Sequence, residues 1–499
     1  MINPLLRLDY PDPDVIRVGD TYYMVSTTMY FMPGCEILRS YDLINWEHAA
    51  FVYDYLDSTP AQKLENGQNI YSRGMWAASL RYHEGRFYVM FVCNDTRKTY
   101  LYTADSIEGP WKKSYVEGFY HDCSLLFEDG RVFVVYGNRT IHLTELKADL
   151  SGPKEGGLNR VVVRDSDEAP LGYEGTHFYK INGKYYLFFI HSLVGRCMRA
   201  EACFVSDSLE GEFTGGDVFV DDIGYCGQGV AQGGIVDTPE GDWYAILFQD
   251  RGAVGRIPVL VPVKWEGDQP VFCTDRETLL NPVTVSTRPG YVYEKLADSD
   301  DFSEGDGPSF GLRSIWQFNH EPDLSLVELD TKAKTWSVRS GSLSDSVTQA
   351  KNTITQRLYY PGTHCEVTVD ASGIKEGDYA GLAVLQTAYG FVAVTRRDGD
   401  LYLVMQEKTA ADGAMTSYQY TFSECAAVKL DSPVVRLSFD ADFTDMRDEV
   451  RFQIGPSHKM YFKLDTFTGN RAGLFLCSTK ETGGKAVFSD FVLNETCRG

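Results

Sequence analysis

The 499-residue sequence contains no apolar run near the ~20 residues that span a bilayer, so a membrane helix is not expected. Its first residues, MINPLLRLDYPDPD, lack a basic segment followed by an apolar core, so no secretory signal is expected either. Positive charge is scarce: 47 basic residues face 70 acidic ones, for a net charge of −23. With no basic stripe, nucleic acid is excluded as an expected partner. Paired cysteines are missing too. Eleven cysteines run singly from Cys35 to Cys497, with no C-x-x-C spacing. That usage offers zinc no ligand cluster and suits a reducing compartment better than a disulfide framework, so a cytoplasmic protein is expected.

What the sequence does have is aromatic residues and glycine: 31 Tyr, 28 Phe and 46 Gly against 19 Pro. This favours many short strands and tight turns. Five segments share one plan, a short apolar strand, a tight turn and an aromatic-rich strand: DVIRVGDTYYMVS, SLRYHEGRFYVMFV, SLLFEDGRVFVVYG, THFYKINGKYYLFF and GIVDTPEGDWYAIL. Four of the turns carry a glycine, at 85, 130, 183 and 241, as two-strand hairpins do. The second aromatic of each unit falls at Tyr23, Tyr88, Phe133, Tyr186 and Tyr244, in steps of 65, 45, 53 and 58 residues. An all-β unit repeating near every fifty residues predicts a β-propeller of five blades.

Eleven or twelve residues before each marker aromatic stand Asp12, Trp76, Asp122, Glu174 and Gln232. Equivalent positions at the start of innermost strands converge on a propeller's axis, so three carboxylates, an indole and an amide are expected around one funnel. A single Asp before a strand is ordinarily a turn cap. Three carboxylates at matched offsets are different, because gathering like charges in a cleft costs ionisation energy. Asp14 lies off this register and reads as plain turn chemistry.

Carboxylates on opposite walls with an aromatic platform suit a sugar. Glycoside hydrolysis needs an acid for the leaving oxygen and a carboxylate across the ring, ~5–5.5 Å away for retention or ~6.5–9.5 Å for inversion. Carboxylates from different blades favour the wider spacing. A third carboxylate can keep the acid protonated.

The stretches NPLLRLDYPDPDVIRVGDTYYMVST, FYHDCSLLFEDGR, LGYEGTHFYK and GVAQGGIVDTPEGDWYAILFQDRGAVGRIPVLVPVKW resemble the ordered motifs of glycoside hydrolase family 43. The resemblance implies a five-bladed propeller that inverts the anomeric centre, with β-xylosidase and α-L-arabinofuranosidase as common activities. It makes Asp12 the general base, Glu174 the general acid and Asp122 the residue that orients the acid and modulates its pKa. It also places Arg256, Trp76, Phe31 and His177 around the innermost sugar subsite. Many members hold an axial calcium with a fifth-blade histidine; this sequence has Gln232 there, whose amide suits a calcium ion, a sugar hydroxyl or a water equally. No metal is assigned and no cofactor is required.

Near residue 299 an acidic, glycine-rich stretch replaces the repeat, so residues 1–298 are expected to form the propeller and 299–499 a second domain. Alternating strands such as HCEVTVDAS and PVVRLSFDAD read as a β-sandwich. SDDFSEG, WQFNHEPD and NTITQRLYYP resemble the concanavalin-like C-terminal domain of some family 43 enzymes, in which a loop closes the pocket. The expected function is an inverting exo-glycosidase acting on short xylo- or arabino-oligosaccharides. The alternatives are an endo-arabinanase, a non-catalytic sugar-binding propeller and a retaining fructosidase. Homo-oligomerisation is compatible with such a chain.

Overall fold

The computed structural model describes residues 1–196, 198–410 and 419–496; Cys197 and Cys497 lie outside them, and the nine described cysteines are free thiols. Five four-stranded antiparallel sheets, each one contiguous piece of chain, form the blades of a propeller. Their innermost strands are Asp14–Val18, Ser79–His83, Ser124–Glu128, Glu174–Ile181 and Val230–Asp237. The hairpins that follow them turn as the glycines require: Glu84–Gly85 and Asn182–Gly183 both have positive φ at the two central residues, the twist that matches antiparallel strands.

Burial follows position in the blade. In Lys184–Ser192 every residue after the first is buried, because neighbouring blades cover both faces. Outer strands such as Lys112–Val116 are mostly exposed. Four apolar cores lie between successive blades, Phe91 packing with Ile37 in the first and Phe188 with Val259 in the last. The fifth seam, between the last blade and the first, differs. Its core, with Tyr22, Ile246 and Leu260, is continuous with the interior of the second domain around Trp316, Leu382 and Phe488.

The C-terminal half is a β-sandwich of eight- and seven-stranded sheets. The eight-stranded sheet ends on Phe31–Met32 from the first-blade region, which pairs with Gln317–Asn319. The N-terminal residues run along the last blade, with the Leu5 and Tyr10 N–H groups donating to the Pro258 and Arg256 carbonyls. The ring is therefore closed by backbone bonds along its edge and by the docked sandwich. Every strand among the described residues lies within these seven sheets, and the architecture is the all-β propeller and sandwich expected.

Candidate active site

Hairpin pairing fixes which residues are equivalent between blades. The strand partners of the five marker aromatics are Ile16, Arg81, Leu126, Tyr179 and Val236. Four residues before these stand Asp12, Ala77, Asp122, Gly175 and Gln232. Asp12, Asp122, Gly175 and Gln232 all have left-handed backbone, at φ 53°, 48°, 62° and 58°. For a non-glycine residue this conformation is strained and collects at functional sites. The turn it makes lifts these residues to the mouth of the axis just ahead of the strand. Trp76 and Glu174 stand one residue ahead of the register. For Glu174 the cause is a β-bulge: it pairs with Ile190, but His177 already pairs with Phe188.

Asp12 is 7% exposed. It accepts from the Thr27 hydroxyl at 2.7 Å and from Arg256 Nη1 at 3.0 Å. Arg256 is buried, with Nε 3.4 Å from Asp250 Oδ1 and its guanidinium over the rings of Phe248 and Phe467 at 4.7 and 4.8 Å. Burial alone would lower the guanidinium pKa; Asp12 and Asp250 reverse this and keep it cationic. Asp250 is shared with Arg199, 2.6 Å away.

Across the funnel, Asp122 is 6% exposed and accepts the Gly175 N–H at 3.1 Å. Burial, with Glu174 and Asp12 nearby, pushes its pKa up to about 7 against the opposing pull of His121. Glu174 is partly exposed and accepts from the Asn138 amide. Between the two sits His121, its Nε2 3.6 Å from Asp122 Oδ2 and 3.9 Å from Glu174 Oε2. The adjacent Asp122 above all raises its pKa to about 9. Sequence reasoning missed His121, although it precedes Asp122 in the FYHDC stretch; it missed Asn138 as well.

Trp76 stacks on Phe467 with ring centroids 5.4 Å apart and tilts against His121 at 5.7 Å. Phe467, from the sandwich, brings the second domain against Trp76 and the Arg256 guanidinium; sequence reasoning did not reach it. Phe31 belongs to the same apolar cluster, but it is buried, with the Arg471 guanidinium 3.5 Å above its ring. The Gln232 side chain lies against Gly175, where a Cβ would come within 2.5 Å of its amide carbon.

One layer below the carboxylates, the axis is filled by charge. Asp14 is 1% exposed, which corrects its reading as a turn residue. Arg81 crosses the axis, donating to Asp14 Oδ2 at 2.7 Å, the Leu125 carbonyl at 2.8 Å and the Ser124 hydroxyl at 2.6 Å. His177 belongs to this layer, with Nε2 3.6 Å from Asp14 Oδ1 and Nδ1 3.1 Å from the Gly175 carbonyl. Its burial lowers its pKa.

Two places among the described residues bear on metal binding. His121, Asp122 and Glu174 bring ligand atoms within 4.8 Å of one another. The same three groups, an imidazole between two carboxylates, are also placed to share a proton. An axial calcium would need six to eight oxygens. The axial layer offers Asp14, already neutralised by Arg81, and a histidine. The Arg81 guanidinium supplies positive charge beside Asp14.

This is an acid face of Asp122, Glu174 and His121 opposite an Asp12–Arg256 pair, under an aromatic wall from both domains. The family model "Glycosyl hydrolases family 43" matches residues 1–271. The chain belongs to glycoside hydrolase family 43. Residues 299–494 match the β-xylosidase C-terminal concanavalin A-like domain found with that family. Among related proteins, a β-xylosidase of Formosa agariphila is 28% identical, over 97% of this chain and 88% of its own. A non-reducing-end α-L-arabinofuranosidase of Bacteroides ovatus is 27% identical, over 82% of this chain and 78% of its own. Among solved structures, a bifunctional GH43-CE protein of Bacteroides eggerthii superimposes with TM-score 0.89 and 39% identity; this chain is covered entirely and spans 64% of that protein.

Proposed function

We propose that this family 43 hydrolase is an inverting exo-glycosidase that removes terminal β-D-xylosyl or α-L-arabinofuranosyl residues from short hemicellulose oligosaccharides. The observation that carries the reading is Phe467, which brings the second domain against Trp76 and Arg256; in this reading it walls off a pocket for one terminal sugar. An endo-acting enzyme needs a cleft open at both ends. The relatives named β-xylosidase and α-L-arabinofuranosidase support the two sugars.

In this reading Asp12, held by Thr27 and Arg256, takes the proton of a water that attacks the anomeric carbon. Glu174 protonates the leaving oxygen, and Asp122 with His121 orients it and maintains the proton supply. Arg256 and Trp76 grip the terminal sugar, Phe31 backs their wall, and Gln232 and His177 shape the floor. The free thiols support a cytoplasmic setting.

The test is kcat/KM on 4-nitrophenyl β-D-xylopyranoside and α-L-arabinofuranoside, with product analysis on oligosaccharides and the first anomer read by NMR. Release of single sugars with inverted configuration is expected. Oligomeric products, retained configuration or no turnover would overturn the reading. Asp12→Asn should lower kcat by about 10²- to 10⁴-fold with the fold intact, and wild-type turnover would remove Asp12 from the base role.

A further inference from the structure

Three stretches of chain meet beside the pocket: residues 9–12, which end on Asp12; the 252–256 turn, which ends on Arg256; and the sandwich loop that carries Phe467. At their junction is the buried carboxylate of Asp9. Its Oδ1 accepts the Arg256 N–H at 2.8 Å, and its Oδ2 accepts the Gly469 N–H at 2.8 Å. The approach is possible because both neighbours are glycines. A Cβ on Gly255 would stand 2.3 Å from Asp9 Oδ1, and one on Gly469 would stand 2.1 Å from the Val254 carbonyl.

The arrangement closes a loop of contacts. Tyr10 N–H donates to the Arg256 carbonyl at 2.9 Å, so the 9–10 segment binds both backbone groups of Arg256. The side chain of Arg256 then returns to Asp12 at 3.0 Å. From the sandwich, Arg357 Nε donates to the Asp9 carbonyl at 2.8 Å, and its guanidinium covers the Tyr10 ring at 3.9 Å. Asn470 ties the lid loop to the Ala253 carbonyl through its N–H at 2.9 Å and its amide at 2.8 Å.

We infer that Asp9 is a positioning residue that sets the register of the sandwich lid against the Asp12–Arg256 pair, acting on the sugar through Phe467 and Arg256. A carboxylate is suited to this task because each oxygen accepts one N–H from a different segment. An amide in its place would set an N–H against one of those donors. The inference rests on the proposed function for its kinetic consequences only; the junction itself is independent of the substrate.

The experiment compares wild type, Asp9→Asn, Phe467→Ala and the double variant on whichever aryl glycoside the wild type cleaves. Hydrogen exchange is measured over residues 252–256 and 463–470. Asp9→Asn is expected to lower kcat/KM by about 10- to 100-fold, through both kcat and KM, and to speed exchange in those two segments alone. In the Phe467→Ala background its effect on KM should shrink severalfold, because the lid it aligns is gone. Additive effects, or a loss of thermal stability with unchanged kinetics in the folded fraction, would reduce Asp9 to a structural role and overturn the inference. If Asp9→Asn does not fold, Asn470→Ala opens the same junction from the sandwich side and is judged by the same outcomes. A wild type that cleaves neither glycoside would overturn the proposed function, while the exchange pattern would still decide the role of Asp9.

Discussion

Replacing His121 with Gln isolates the electrostatics of the acid face. His121 keeps its proton to about pH 9, so at pH 7 it is a cation 3.6 Å from Asp122 and 3.9 Å from Glu174. Asp122 nonetheless has its pKa pushed up to about 7, since burial and its carboxylate neighbours outweigh that cation. Two unit charges about 4 Å apart interact by about 4 kcal/mol at an effective dielectric of 20, and an opposite charge at this range moves a carboxyl by about 1–3 units. Glutamine removes the cation and leaves the other causes. Asp122 should then hold its proton about 1–2 pH units higher, worth about 1.4 kcal/mol per unit.

The sign follows directly. The acid face loses its proton as pH rises, so the basic limb of kcat/KM should sit near pH 7 in the wild type and move upward in His121→Gln. The assay must use an oligosaccharide, because a sugar leaving group needs protonation whereas nitrophenolate leaves without it. Measured against pH, kcat/KM reports groups of the free enzyme. A limb that stays in place or moves down would refute the argument. So would a wild-type limb near pH 9 that vanishes in the variant, since that would make His121 the titrating group.

Two further outcomes concern the scaffold. Arg81→Met strands the buried Asp14 carboxylate and should cost about 3–5 kcal/mol in denaturant unfolding; Asp14→Asn added to it should restore part of this, and a loss below ~1 kcal/mol would contradict the axial role. Glu201 is buried, its pKa raised well above the usual carboxyl value by burial, and it accepts the Gln232 N–H at 2.7 Å. Its folded pKa exceeds the unfolded value of ~4.3, so the stability it contributes is complete below that pH and lost as pH rises toward the folded value. Glu201→Gln has no such loss and should gain in Tm over wild type at pH 8 relative to pH 5; equal differences at both pH values would contradict it.

Sequence and structure agree where regular geometry relates them. Counting back eleven residues from the marker aromatics located Asp12 and Asp122, because hairpin pairing keeps that spacing and left-handed backbone marks the result. The same count reached Trp76, Glu174 and Gln232 only by tolerating an offset of one, which for Glu174 is the 174–177 bulge and for Gln232 the longer turn between Asp237 and Trp243. Asp14 was misread because Asp beside Pro looks the same in sequence whether the carboxylate caps a turn or pairs with an arginine from the next blade. His121 and Asn138 carry no periodic signal; their roles come from their distances to Asp122 and Glu174. Phe467 lies in another domain, hundreds of residues from Trp76 along the chain, and no local pattern links the two.

Each blade is folded from its own continuous stretch, so no strand is traded between the first blade and the last to lock the circle. Four seams keep their apolar interiors to themselves, while the fifth shares its interior with the sandwich. The C-terminal half is therefore a keystone and not an appendage. A gene that lost it would expose the seam beside Asp12 and remove the wall at Phe467 together. Exchange of this half between relatives alters substrate fit and ring integrity in one step, and an engineer who trims it must first rebuild the seam.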